Sequence, residues 1–341
     1  MAGQSDTPSR AAGGSAPIAE ELQPSPIRKF LLSRGSSAIA DRAFGGLMLV
    51  CALCIFGIVA LIATELLQNS RLSIAKFGIK FFFGHAWDPV NGDFGALPFV
   101  FGTLVSSLLA LIIAVPLAIG VAVFLTEMCP KALRGMLSFL SELLAAIPSV
   151  VYGLWAVFKL VPLLRDYVNP LLIKLFGWTG LFSGPNMGIG MVAAGVILAI
   201  MILPLISSLT REVMSAVPHS QREAVLALGA TRWEMIRMGV LRNARIGIVG
   251  SIILGLGRAL GETMAVTMVI GNTPQIAKSL LATGTSMASV IANEFNEASD
   301  DLYRSALIEI GLALFVVTIL VNILARLLVW GVTRGAPARV N

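Results

Sequence analysis

The chain has 341 residues, of which 56% are apolar and only 13% charged, against about 25% charged in an ordinary soluble domain, and its mean hydropathy is +0.85. So little charge cannot coat a water-soluble core of this length, so the chain reads as an integral membrane protein, and soluble enzymes and nucleic-acid binders are excluded. The formal charge of +6 then becomes a question of where Lys and Arg sit, because basic residues collect on the cytoplasmic side of membrane proteins.

Residues 1–40 are rich in Ala, Gly, Ser and Pro and read as a disordered cytoplasmic tail. The apolar stretch 44–67 is too long for a cleaved signal and long enough, at about 1.5 Å per residue, to cross about 30 Å of hydrocarbon. Cys51 and Cys54 lie within it at helical spacing and read as packing residues rather than metal ligands; His85 and His219 lack partners and read as bland. Five further apolar stretches follow, at 99–126, 137–158, 187–209, 246–271 and 306–332. The expectation is an all-α membrane domain over 41–341 with six transmembrane helices, both termini on one side. Sixteen Lys and Arg fall on the tail, the 127–136 turn, the 210–245 loop and the C-terminus, against eight on the opposite segments, so both termini are expected in the cytoplasm.

Glu142, Pro148 and Tyr152 belong to the third stretch. They read either as shaping a kinked, inward-facing helix or as lining a pathway. The apolar segment 162–178 after it is expected along the membrane interface.

The 210–245 loop is basic and partly apolar. Ser220 is a candidate N-cap with Glu223 completing a capping box, and Val225, Leu226 and Leu228 give the short helix an apolar face. Gly229 can end that helix in the left-handed conformation, and Thr231 can cap a second helix with Glu234 at its third position. A helix, a tight glycine turn and a second helix across the cytoplasmic face suit docking on a soluble partner.

Arg258 lies twelve residues into the fifth stretch, about 18 Å from its start and near the bilayer midplane. An Arg at that depth costs about 2.5–3.5 kcal/mol on insertion scales, which makes it a functional candidate. Glu262, four residues later, is expected on the same helix face as its counter-charge, with Thr263 beside it as a hydroxyl ligand. A pair that merely ties helices together is the alternative. Gly257 and Gly261 form a small-xxx-small pattern that lets another helix approach. Glu309 of the sixth stretch is a weaker candidate, expected near the interface. The acidic segment 293–301 reads as a solvated outer face or as a contact for a binding protein.

Several of these motifs together carry a resemblance. Glu223-Ala224, with Gly229 six residues after the Glu, resembles the EAA loop of ABC importer permeases. The wider context, from Gly229-Ala-Thr-Arg232-Trp233-Glu234 through Gly255-Leu-Gly-Arg258-Ala-Leu-Gly-Glu262-Thr263 and Ala146-Ile-Pro148-Ser-Val-Val-Tyr152-Gly153, resembles the permeases of phosphate ABC importers over nearly everything after residue 40. Two departures stand out, Val225 where Ala is usual and Arg242 where a helix-starting Pro is usual.

The resemblance implies a MetI-like permease fold in the bacterial inner membrane and transport of inorganic phosphate by alternating access. It implies a second, similar permease subunit, a dimer of ATPase subunits that binds ATP and Mg, and a periplasmic phosphate-binding protein. The chain itself then carries no cofactor, metal or catalytic residue, which agrees with the absence of any G-x-x-x-x-G-K-[ST] phosphate loop from the sequence. Arg258, Glu262 and Thr263 are the expected pathway residues, and Glu223, Ala224, Gly229, Arg232, Trp233 and Glu234 the ATPase-coupling residues. A permease for another oxyanion such as molybdate or sulfate, or a membrane sensor or scaffold, are the competing readings.

Overall fold

The computed structural model describes residues 37–333, so most of the expected tail, residues 1–36, lies outside the described residues. The chain divides into two units, 1–60 and 61–341. The described part of the first is helical: α1 (Ser37–Asn69) starts there and continues into the second unit. Residues 40–60 are exposed all round, and no charge occurs between Arg42 and Glu65. A helix that is apolar on every side and exposed suits lipid contact.

In the second unit α2 (Arg71–Phe77) leads into a small antiparallel hairpin, β1 (Trp87–Asp88) and β2 (Asp93–Phe94), with Trp87 opposite Phe94. Asp88 closes the turn by accepting from Val90 N and Asn91 N at 2.9 and 3.2 Å, and from Asn91 Nδ2 at 2.6 Å. These Asn91 bonds hold the Asp88 carboxyl below the usual carboxylate range. Trp87 and Phe94 join Phe81, Phe99 and Tyr303 in an aromatic cluster. Glu294, from the acidic segment expected to be a solvated face, anchors it: Trp87 Nε1 donates to its carboxylate at 2.8 Å and the Tyr303 hydroxyl at 2.6 Å.

The central pair is α3 (Leu97–Val123) against α6 (Met191–Ser215). Ala110, Ala114, Ala118 and Ala122 recur every fourth residue of α3 and are 0% exposed. Without bulky side chains on that face the two backbones come close, as packing in a membrane requires where no hydrophobic force joins helices. A Cβ on Gly195 of α6 would sit 2.7 Å from the Leu109 Cβ. At the N-terminal end of α3, Gly102 lies against the backbone of Thr285, and Met287 N donates to the Thr103 hydroxyl at 2.9 Å.

The third apolar stretch is not the single kinked helix expected. It divides into α4 (Lys131–Ala146) and α5 (Ser149–Thr179), bent by 91°. The residue before a proline is pushed out of the helical region, and Ile147 is extended at φ −66, ψ 131, so α4 stops at Ala146 and α5 starts after Pro148. The segment 162–178, expected along the interface, is part of α5. The fifth stretch also differs. After α7 (His219–Ala227), α8 runs from Arg232 to Leu260 straight through Leu241-Arg242, because Arg242 lacks the missing N–H and ring clash of a proline. A break at 261–263 separates α8 from α9 (Met264–Ile270).

α10 (Met287–Glu294) and α11 (Asp301–Thr333) complete the described chain. Glu309 of α11 is 1% exposed and faces Ser73 of α2. Among the described residues five helices are long and apolar enough to cross a membrane, or six if the bent α4–α5 pair is one span.

Gly102→Ala would drive a Cβ into the Thr285 carbonyl, a backbone atom that cannot swing aside, and is expected to destabilise the detergent-solubilised protein by about 1–3 kcal/mol. Gly120→Ala, where nothing lies within 4 Å, should not lower the unfolding midpoint, Ala being the better helix former. Equal midpoints for the two variants would contradict the packing.

Candidate functional site

α8 has two unlike faces. Gly247, Ser251, Gly255 and Ala259 recur every fourth residue and turn toward α6. The Ser251 and Thr210 hydroxyls are 2.8 Å apart, and a Cβ on Gly255 would lie 2.6 Å from Ile206. On the other face Ile246, Leu254 and Arg258 are exposed. A Cβ on Gly250 or Gly257 would find nothing within 4 Å, and on Gly261 only the Gly257 carbonyl at 3.7 Å. The small-residue pattern 257–261 is therefore not used for packing among the described residues.

Arg258 stands on this open face one turn before the break. The expected pairing with Glu262 on a continuous helix does not occur. α8 ends at Leu260, and Gly261 leaves helical geometry at φ −95, ψ 1, so the i, i+4 relation no longer puts the two side chains on one face. Glu262 Oε1 instead accepts from Ala265 N at 3.5 Å, at the first turn of α9. The ion pairs among the described residues are Arg165–Asp166, Arg211–Glu142 and Arg222–Glu127. Thr263 donates to the Gly261 carbonyl at 3.4 Å, and its own carbonyl accepts from the Thr267 hydroxyl at 2.8 Å.

Tyr152 joins this group. It is 9% exposed, its hydroxyl donates to the Leu144 carbonyl at 2.8 Å, and it lies within electrostatic reach of Arg258. That bond braces the right-angle turn around Pro148. Its neighbour Gly153 leaves room for Met268 and Ala265 of α9, where a Cβ would lie 2.6 Å from the Met268 sulfur. The first turn of α5, just after the bend, thus packs against α9, just after the break. Glu142 is engaged elsewhere, with Arg211 at 2.9 Å, and Pro148 acts through the bend.

The loop between α6 and α8 has the expected helix, turn and helix. Gly229 is left-handed at φ 84, a conformation open to glycine without strain. Thr231 and Glu234 form the expected capping box, with Thr231 N donating to Glu234 Oε2 at 2.8 Å. The box expected at Ser220 does not form: α7 starts at His219 after Pro218, whose ring presets the entry angle. Of the three apolar residues expected on the short helix, Val225 turns inward onto Gly239 and Met235, while Leu226 and Leu228 point outward. Leu228 is 88% exposed and Trp233 62%. Glu223, Ala224, Gly229, Arg232 and Glu234 are exposed with them. The loop thus presents apolar side chains outward among charged ones. Beneath it the sequence reading missed Arg222, counted only among the orienting charges; its adjacency to Glu223 was the available signal.

A family model described as binding-protein-dependent transport system inner membrane component matches residues 114–334. One chain in the crystal structure of a bacterial ABC transporter involved in the import of the acidic polysaccharide alginate shares the fold, with a TM-score of 0.54 at 17% identity over 84% of this chain and 97% of that one. The chain is thus a multi-pass membrane permease subunit rather than an enzyme. Its relatives narrow the class. The phosphate transport system permease protein PstC of Mesorhizobium japonicum is 46% identical over 85% of this chain and 90% of its own length. That of Haemophilus influenzae is 48% identical over 82% and 89%. The chain belongs to this PstC permease family.

Removing the Thr231 hydroxyl tests the loop geometry. Thr231→Ala is expected to weaken the start of α8 by about 1 kcal/mol, roughly fivefold faster amide exchange over residues 232–236. Unchanged exchange there would show that the cap does not hold the helix.

Proposed function

We propose that this chain is one permease subunit of an ABC importer that carries inorganic phosphate across the bacterial inner membrane, with both termini in the cytoplasm. Its partners in this reading are a second permease of the PstA type, a dimer of ATPase subunits of the PstB type that binds ATP and Mg, and a periplasmic phosphate-binding protein of the PstS type. The observation that carries the reading is Arg258, without an ion-pair partner among the described residues and set on an open helix face beside a break between two helices, in a chain whose relatives are named phosphate permeases.

A desolvated phosphate needs a matching charge and hydrogen-bond donors. Arg258 supplies the charge as the anion crosses the interface with the second permease, whose helix approaches over Gly250, Gly257 and Gly261. Thr263 supplies a hydroxyl. Glu262 places a carboxylate next to the site and so limits retention, as conduction requires a bound state that can be left again. The ATPase pair grips the surface formed by Glu223, Leu226, Leu228, Arg232 and Trp233, and its closure is passed through that loop into the helices, which alternate access.

Labelled phosphate uptake tests the pathway. Arg258→Gln in the assembled complex is expected to lower uptake at least about tenfold, the worth of a charge-assisted hydrogen bond. Normal uptake would remove Arg258 from the pathway. Molybdate or sulfate that competes with phosphate at equal concentration would favour the other-oxyanion reading. For the docking loop, Gly229→Val forces a β-branched residue to φ 84 and is expected to release or uncouple the ATPase. Stoichiometric ATPase with unchanged uptake would contradict the docking role.

A further inference from the structure

Beneath the outward-facing docking residues lies a buried charge pair that neither the sequence motifs nor the pathway accounts for. Arg222, one residue before Glu223, turns inward. Its Nε and Nη2 donate to Oε1 of Glu127 at 3.2 and 3.0 Å, its Nη2 also donates to the Met214 carbonyl at 2.9 Å, and its Nη1 donates to the Val217 carbonyl. The two side chains are 11% and 8% exposed. Three separate elements meet on this one guanidinium: α7, the end of α6 through Met214 and the Val217 that follows it, and the π-turn Phe124–Met128 that ends α3. Arg134 donates to the Thr126 carbonyl at 2.8 Å and ties the start of α4 to the same turn.

The chemistry is specific to arginine. Its planar fork serves three acceptors at once, which the point charge of a lysine does not do. A buried pair is also a poor device for stability alone, since apolar side chains of similar volume usually hold as well; what it defines is position. Val225, Met235 and Ile236 pack with Ala122 and Met214 around it, so the underside of the loop and the ends of α3 and α6 share one small core.

We propose that Arg222 and Glu127 are a positioning pair that makes α7 and the ends of α3 and α6 move as one body, so that displacement of the docking surface reaches the transmembrane helices. The inference rests on the reading of that surface as the ATPase contact. The pair faces inward from the docking surface and is separate from Arg258, so it acts only through the elements it joins. Without it the loop follows the ATPase while α3 and α6 lag.

The test is the number of phosphate ions imported per ATP hydrolysed by the complete transporter in proteoliposomes, with bound ATPase quantified in the same samples. Glu127→Gln and Arg222→Lys are expected to retain ATPase and hydrolysis but to lower the ratio at least about fivefold, the lower range of coupling between sites. The reversed pair, Glu127→Arg with Arg222→Glu, is expected to recover part of it. An unchanged ratio in the single variants overturns the inference. So does uptake that falls only in proportion to the complex recovered, because the pair would then merely hold the fold. A wild-type complex that hydrolyses ATP without importing phosphate overturns the functional reading, and the inference with it, a result distinct from an unchanged ratio.

Discussion

Hydrocarbon tolerates no unsatisfied backbone, so a helix may be interrupted at membrane depth only where protein or water takes over its polar groups. The interruption at 261–263 meets that condition in part from within. Gly261 N and Glu262 N reach back to the Gly257 and Ala259 carbonyls at 3.4 and 3.5 Å, and the Glu262 carboxylate reaches forward to the start of α9. Much of the surrounding architecture serves to hold this segment. The glycine-lined face of α8 lies flat on α6, α6 is clasped by the alanine ladder of α3, and the first turn of α5 wedges Gly153 against α9. The opposite face of α8 is left open, with Ile246, Leu254 and Arg258 exposed on it.

The same physical logic separates the two ends of the second unit. At the end that carries the hairpin, aromatic rings and a single carboxylate clamp it onto α11, a rigid arrangement of stacked and edge-on contacts. At the end that carries the docking loop the core is smaller, and a guanidinium shared among carbonyls and a carboxylate takes the place of rings. Directional polar bonds define relative position more sharply than apolar contact does, which suits the transmission of displacement proposed for this segment.

Composition and periodicity were enough to reveal α1, α3, α6 and α11, because a long apolar run has one low-energy solution in a bilayer. The left-handed Gly229 and the Thr231–Glu234 box were equally legible, since both are decided by residues within a few positions. The right-angle bend at Ile147-Pro148 and the break after Leu260 were not. A proline can kink or stop a helix, and tertiary contacts choose: here the Tyr152 hydroxyl bond to Leu144 and the Met268 contact at Gly153 hold the bend. The Arg258–Glu262 pairing failed for the same reason, because i, i+4 geometry presumes a helix that the fold ends at Gly261. Periodicity over so short a helix as α7 marked Val225, Leu226 and Leu228 as apolar but could not say that Val225 turns inward and the two leucines outward.

The most direct test of an anion path along the open face of α8 is thiol labelling at the break. A cysteine at Thr263, in a chain with Cys51, Cys54 and Cys129 replaced by serine, is exposed within the complete transporter to a membrane-impermeant anionic reagent from either side. Labelling that occurs in the assembled complex, changes side with nucleotide and slows when phosphate is added is the expected result. Labelling indifferent to phosphate and to nucleotide would place Thr263, and the neighbouring Arg258, outside the path of the substrate.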